Sequence, residues 1–151
     1  MINKLGFGFL RLPKTDGELD WQTICTMADA FLDGGGVFFD TCYTYLDGLS
    51  ETAIRKCVVE RKPRNSFQLC DKLPGYLFKS YEDCQKYFDI ELERCGVEFF
   101  DVLMLHWLND ENYAIAENMT SSASCGRKRQ RERRNASAFP TTVMQHCWTE
   151  S

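Results

Sequence analysis

Four side chains in this sequence have the chemistry to move a proton to a carbonyl: Asp40, Tyr45, Lys72 and His106. A phenol, with a reference pKa of about 10, is a poor acid at neutral pH unless a neighbouring cation stabilises its phenolate. Lys72 can be that cation. A carboxylate such as Asp40 keeps the ammonium charged, and an imidazole can hold a substrate carbonyl by a hydrogen bond. The chemistry exists only if the four groups meet, so the elements that carry them must deliver them to one place.

The chain pattern does this. The run V-F-F-D-T-C-Y-T-Y-L-D-G-L-S-E follows a triple glycine, Gly34 to Gly36. Val37, Phe38 and Phe39 read as a short buried strand, Asp40 stands at its end, and Tyr45 follows on a loop before a helix for which Ser50 is the expected N-cap. Residues 67–69 begin another apolar run that closes on Cys70, Asp71 and Lys72. Residues 99–105, F-F-D-V-L-M-L, form a further strand, with His106 directly after it. A first strand is expected over residues 5–12, stopped by Pro13. Helices are predicted between the strands from apolar positions at three-and-four spacing. Over residues 20–32 these are Trp21, Ile24, Met27, Ala28, Phe31 and Leu32, and over 51–59 they are Ala53, Ile54, Cys57 and Val58. Over 80–95 they are Cys84, Tyr87, Phe88, Ile90, Leu92 and Cys95. Strands alternating with helices imply βαβ units and a parallel sheet, in which consecutive strand ends share one rim.

The residues at those strand ends resemble the aldo-keto reductases, (β/α)8-barrel enzymes that move a hydride between NAD(P)H and a carbonyl. The likeness rests on D-T-C-Y-T-Y at 40–45, S-E at 50–51, Lys72, and the run L-E-R-C-G-V-E-F-F-D-V-L-M-L-H-W at 92–107. The opening L-G-F-G-F-L-R-L-P is similar to the first strand of a bacterial subgroup whose members often add a C-terminal ferredoxin-like iron–sulfur segment. The resemblance implies that Tyr45 is the proton donor, Lys72 the partner that lowers its pKa, Asp40 the anchor of that lysine, and His106 the group that orients the carbonyl. It further implies a small carbonyl substrate and an NADP or NAD cofactor held in part by Gly8, Phe9 and Asp40. Tyr43 lies at the wrong offset from Asp40 and reads as packing. Trp21 and the pairs Phe38, Phe39 and Phe99, Phe100 read as core.

Composition fits a globular class: 151 residues, 44% apolar, net charge -4. No apolar run approaches the roughly 18 residues a membrane span needs, and the first 14 residues are interrupted by Arg11 and Pro13, so no secretory signal is read and the expected location is the cytoplasm. The eight cysteines, at 25, 42, 57, 70, 84, 95, 125 and 147, include no C-x-x-C pair. Neither zinc nor an iron–sulfur cluster has its usual linear spacing, and the thiols are expected to be reduced and packed.

The family pattern covers about residues 3–118. A complete barrel takes about 250 residues, so the expected fold is α/β, an incomplete (β/α)8 barrel of about the first four βα units. Two open sheet edges make self-association an expectation, and with the loops that in the family hold most of the cofactor absent the chain is expected to have little or no activity. Residues 1–118 carry 12 basic and 20 acidic residues, and 119–151 carry 6 and 2. The segment 119–151 shows no helical or strand period and reads as an unstructured basic tail around G-R-K-R-Q-R-E-R-R. The competing reading is a non-enzymatic binding protein whose basic tail contacts nucleic acid; aromatic residues do not interleave the charges and the body beside them is acidic, which disfavours that partner. Back-translated one base out of register from the Asn118 codon, with free choice of the undetermined base, the tail yields an amphipathic helix, a glycine stop and a strand. A frameshift near codon 118 is therefore the expected origin of the tail.

Overall fold

The structure, a computed structural model, describes residues 5–107. The tail from 119 onward and the expected domain boundary at 118 lie outside these residues. Four parallel strands, β1 (Gly6–Gly8), β4 (Phe38–Asp40), β5 (Gln68–Leu73) and β6 (Val102–Leu105), form one sheet in the order β1-β4-β5-β6. Helices α1 (Trp21–Asp33), α2 (Leu49–Ile54, continuing through a wider π turn over Arg55–Val59) and α3 (Tyr81–Cys95) connect them. This is an α/β fold, the partial (β/α)8 barrel expected from the sequence.

The expected first strand is shorter than its apolar run. Pairing with β4 stops at Gly8, and the chain then folds into a separate hairpin of β2 (Lys14–Thr15) and β3 (Glu18–Leu19). Asp16 and Gly17 form its two-residue turn with φ of 52° and 87°, the backbone that an Asp-Gly pair supplies at least cost. Phe9 and Leu12 leave the sheet and become core. The expected last strand also starts late. Its opening residues are tied instead by the Asp101 carboxylate, which accepts from the Leu69 backbone N–H at 2.8 Å and from Arg64 at 2.6 Å.

Strand alternation sorts the sheet into two faces. Phe39, Leu69 and the partly buried Phe7 and Leu103 face the helices, where they meet Ile24, Ala28, Ala53, Ile54, Cys57, Val58, Leu92 and Cys95. Phe39 is central, with the rings of Phe7, Phe9, Phe31 and Phe67 5.3–6.1 Å away. Truncating such a residue to alanine costs about 3–5 kcal/mol. Met27, expected in the buried stripe of α1, is exposed. Asp20 caps α1 by accepting from the Thr23 N–H at 3.0 Å, and Ser80 and Asp83 form a capping box on α3. Gly96 ends α3 with a φ of 69°, a conformation a side chain would resist.

Ser50 is not the N-cap of α2. The helix begins after Gly48, and Ser50 sits inside it, wholly buried. Its hydroxyl donates to the Phe9 carbonyl at 2.9 Å and lies 2.6 Å from the Thr41 hydroxyl. A hydroxyl that would cap an exposed helix end is used here to satisfy buried polar groups between β4 and α2.

The same helix–sheet layer contains charge. Glu51, Asp71 and Glu91 have no exposed surface. Arg94 donates to one Glu51 oxygen at 2.9 Å, while Asp71 accepts from the Lys72 N–H at 2.8 Å and from the Cys95 thiol at 3.4 Å. Among the described residues, Glu51 Oε1 and both Glu91 oxygens have no hydrogen-bond partner. Burial, reinforced by Asp71, pushes the Glu51 carboxyl up to about 8. Burial likewise raises Asp71 and Glu91.

Candidate active site

The opposite face of β4 and β5 carries Asp40 and Lys72. The register pairs Gly8 with Asp40 and Asp40 with Cys70, so Lys72 lies one two-residue step further along the same face. The Lys72 ammonium donates to Asp40 Oδ1 at 2.6 Å and to the Thr41 carbonyl at 2.9 Å. Burial pulls the lysine pKa down, but the bond to Asp40 and its charge outweigh that, and the net shift is upward. The group is therefore held as an ammonium.

Tyr45 enters from the loop after β4. Leu46 and Asp47, which follow it, adopt left-handed φ values of 52° and 56°, backbone that is costly for non-glycine residues and is found where a loop has to aim a side chain. The Lys72 ammonium lies 4.9 Å from the centroid of the Tyr45 ring, so the two meet in a cation–π contact. On the other side the ring meets His106 edge-on, with centroids 5.7 Å apart.

His106 directly follows β6, its backbone N–H bonded to the Leu73 carbonyl at 2.8 Å. Burial first, and then the Lys72 charge, lower its pKa, which favours the neutral ring. Its Nδ1 lies 3.2 Å from the Cys42 sulfur, and burial keeps that thiol protonated by raising its pKa. The same sulfur lies 3.5 Å from the Lys72 carbonyl; when its proton is given to Nδ1 instead, the ring proton resides on Nε2, the nitrogen then left to donate to a ligand.

The structure thus brings Asp40, Tyr45, Lys72 and His106 together. Gly8 stands beside them, and a Cβ built on it would meet nothing within 4 Å. Phe9 is placed elsewhere. Its side chain is wholly buried in the core, its N–H donates to the Asp40 carbonyl at 2.8 Å, and its own carbonyl accepts from Ser50. The structure therefore places Phe9 in the core and not beside the other predicted site residues. Two members of the arrangement were not singled out from the sequence: the Thr41 carbonyl, which no sequence signal marks, and Cys42, whose place in D-T-C-Y two residues after Asp40 was the available signal. Tyr43 faces away and packs on Tyr87 and Arg94.

This geometry coincides with a match to the family model described as "Aldo/keto reductase family", which covers residues 4–131. The chain belongs to the aldo/keto reductase family. The match runs beyond the boundary expected at 118. Among solved structures the chain is similar to Tm1743, a thermostable aldo-keto reductase in complex with the inhibitor epalrestat, at 20% identity and a TM-score of 0.61, covering 80% of this chain and 46% of that one. It is similar to an aldo-keto reductase from Klebsiella pneumoniae in complex with NADPH, at 20% identity and a TM-score of 0.57, covering 78% and 41%. A third is MGS-M4, an aldo-keto reductase from a Medee basin deep-sea metagenome library, at 21% and 0.59, covering 82% and 42%. At these identities the likeness is one of fold, and the chain spans less than half the length of each of the three. No curated protein matches it. Among the described residues, no helix is long and apolar enough to cross a membrane.

Proposed function

We propose that the strand-end site belongs to an oxidoreductase that reduces a small carbonyl compound with a nicotinamide cofactor, NADPH or NADH. The observation that carries this reading is the Lys72 ammonium, fixed on Asp40 at 2.6 Å and lying over the Tyr45 ring at 4.9 Å, in a chain of this family. The cofactor, when bound, supplies the hydride.

The protein residues handle the proton and the geometry. Tyr45 donates a proton to the carbonyl oxygen. Lys72 favours that donation electrostatically, since a fixed positive charge lowers the cost of the phenolate left behind. Asp40 keeps the lysine charged, and His106, neutral with its proton on Nε2, donates a hydrogen bond that orients the carbonyl. The open space beside Gly8 fits the approach of a flat ring to the rim. Within this reading, residues 1–118 are the reductase unit and 119–151 a segment of separate origin. The DNA downstream of codon 118 tests that division.

NADPH titrated into the full chain is expected to quench its tryptophan fluorescence, and Tyr45→Phe is expected to keep that binding while losing carbonyl reduction. Absence of quenching by either NADPH or NADH rejects the cofactor. Undiminished turnover in Tyr45→Phe rejects the proton donor.

A further inference from the structure

We propose that Glu51, Asp71 and Cys95, with the Glu91 carboxylate beside them, form a buried site for one divalent transition-metal cation of the zinc class. Ligand atoms of Glu51, Asp71 and Cys95 lie within 4.8 Å of one another, and all three residues are buried. Metal–ligand bonds in such sites are about 2.0–2.3 Å long, so an ion at their centre requires only a modest closing of the cluster.

Glu91 supplies an independent indication. It is wholly buried, and neither carboxylate oxygen has a partner among the described residues. It lies four residues before Cys95 on α3, which places the two on one face of the helix. Its charge is felt by the same partners, Asp71 and Glu51. Buried carboxylates are found paired, protonated or bound to metal. Arg94 occupies only Glu51 Oε2, leaving Glu51 Oε1 open. One guanidinium against three carboxylates and a thiol leaves an acidic excess that a dication offsets.

The donor set indicates the class of ion. A thiolate among carboxylates favours zinc and similar borderline metals over magnesium, which prefers all-oxygen shells and retains water. Three protein ligands gathered from α2, β5 and α3, with the buried Glu91 carboxylate beside them, make a structural site away from solvent rather than a solvent-open catalytic one. Because the ligands come from three separate elements, linear cysteine spacing does not reveal them. The ion clamps α2 and α3 to the back of β5, directly behind Lys72, and does not depend on the reductase reading.

The test uses the full chain, stripped with a chelator and titrated with Co2+, both folded and during refolding. The expected result is one equivalent bound with a thiolate-to-cobalt charge-transfer band, reversed by Zn2+ and not by Mg2+. Cys95→Ser is expected to remove the band, Cys84→Ser to retain it, and Glu91→Gln to weaken Co2+ binding about tenfold to a hundredfold. Should Cys95→Ser not fold, Asp71→Asn is expected to weaken binding to a similar degree while the band persists. No band in either folded or refolded chain overturns the site, as does a band that survives Cys95→Ser or an affinity that Glu91→Gln leaves unchanged.

Discussion

Asp71 and Lys72 are neighbours in one strand and serve opposite regions of the molecule. Lys72 points to the rim, where it meets a carboxylate at 2.6 Å, and ammonium, carboxylate, phenol and imidazole form a mixed cluster that is partly open to solvent. Asp71 points between sheet and helices, into a wholly buried group that contains three carboxyls, a thiol and a single guanidinium at its margin. At the rim, the Asp40 carboxylate helps to hold Lys72 as an ammonium. Behind the sheet, burial and then like charges drive the carboxyls toward protonation. The same strand therefore supports two electrostatic regimes, and the alternation of side chains keeps them apart.

The largest expected effect falls on the rim alone. Lys72→Met is expected to lower any NADPH-dependent carbonyl reduction by about 10²–10⁴-fold, while Glu91→Gln, which acts only through the packing behind β5, changes it far less. Parallel losses in a steady-state assay of both variants mean that the two regions do not act separately.

The next prediction separates them by pH. A carboxyl with a raised native pKa holds its proton in the folded state after the unfolded chain has released it, so stability falls as pH rises. For Glu51 the window runs from its ordinary value of 4.5 to about 8. Chelator-treated protein is expected to be more stable to urea at pH 5 than at pH 8, and Glu91→Gln, by removing one repelling carboxylate, is expected to reduce that slope. His106 contributes with the opposite sign. Its lowered pKa gives stability that is present above the ordinary value of 6.5 and lost as pH falls through the folded value, so His106→Gln steepens the decline toward pH 8. A flat profile in the wild-type chain contradicts the contrast.

Smaller effects are expected between and outside the two regions. Thr41→Val removes the 2.6 Å buried contact with Ser50 and is expected to cost about 1 kcal/mol, since Ser50 retains the Phe9 carbonyl. Arg55→Ala breaks an exposed pair with Glu60 at 2.8 Å and is expected to change stability by about 0.5 kcal/mol or less. A larger loss at Arg55 than at Thr41, read by denaturant titration, reverses the order.

The rim was legible in the sequence because strand ends deliver side chains predictably: Asp40, Lys72 and His106 each sit where a short apolar run stops. The fold was legible for the same reason, as apolar periodicity marks βαβ units directly. What the sequence hid depends on which side of an element a polar residue occupies. Glu91 reads as a solvated residue between Ile90 and Leu92, yet it lies on the inward side of α3. Ser50 has the composition of a cap and is spent instead on a buried carbonyl. The short β1 is hidden because Phe9 and Leu12 continue an apolar pattern while leaving the sheet, and the Asp16-Gly17 pair is the sequence sign that the chain has already reversed.

Gly8 offers a way to gauge the rim without disturbing it. Its strand backbone suits any small residue and the space above it is open, so Gly8→Ala is nearly silent for folding and adds a single methyl to the floor of the mouth. A guest molecule that settles there loses that volume and binds less tightly, whereas one that rests farther out is indifferent. One carbon atom thus becomes a depth marker for whatever the rim admits.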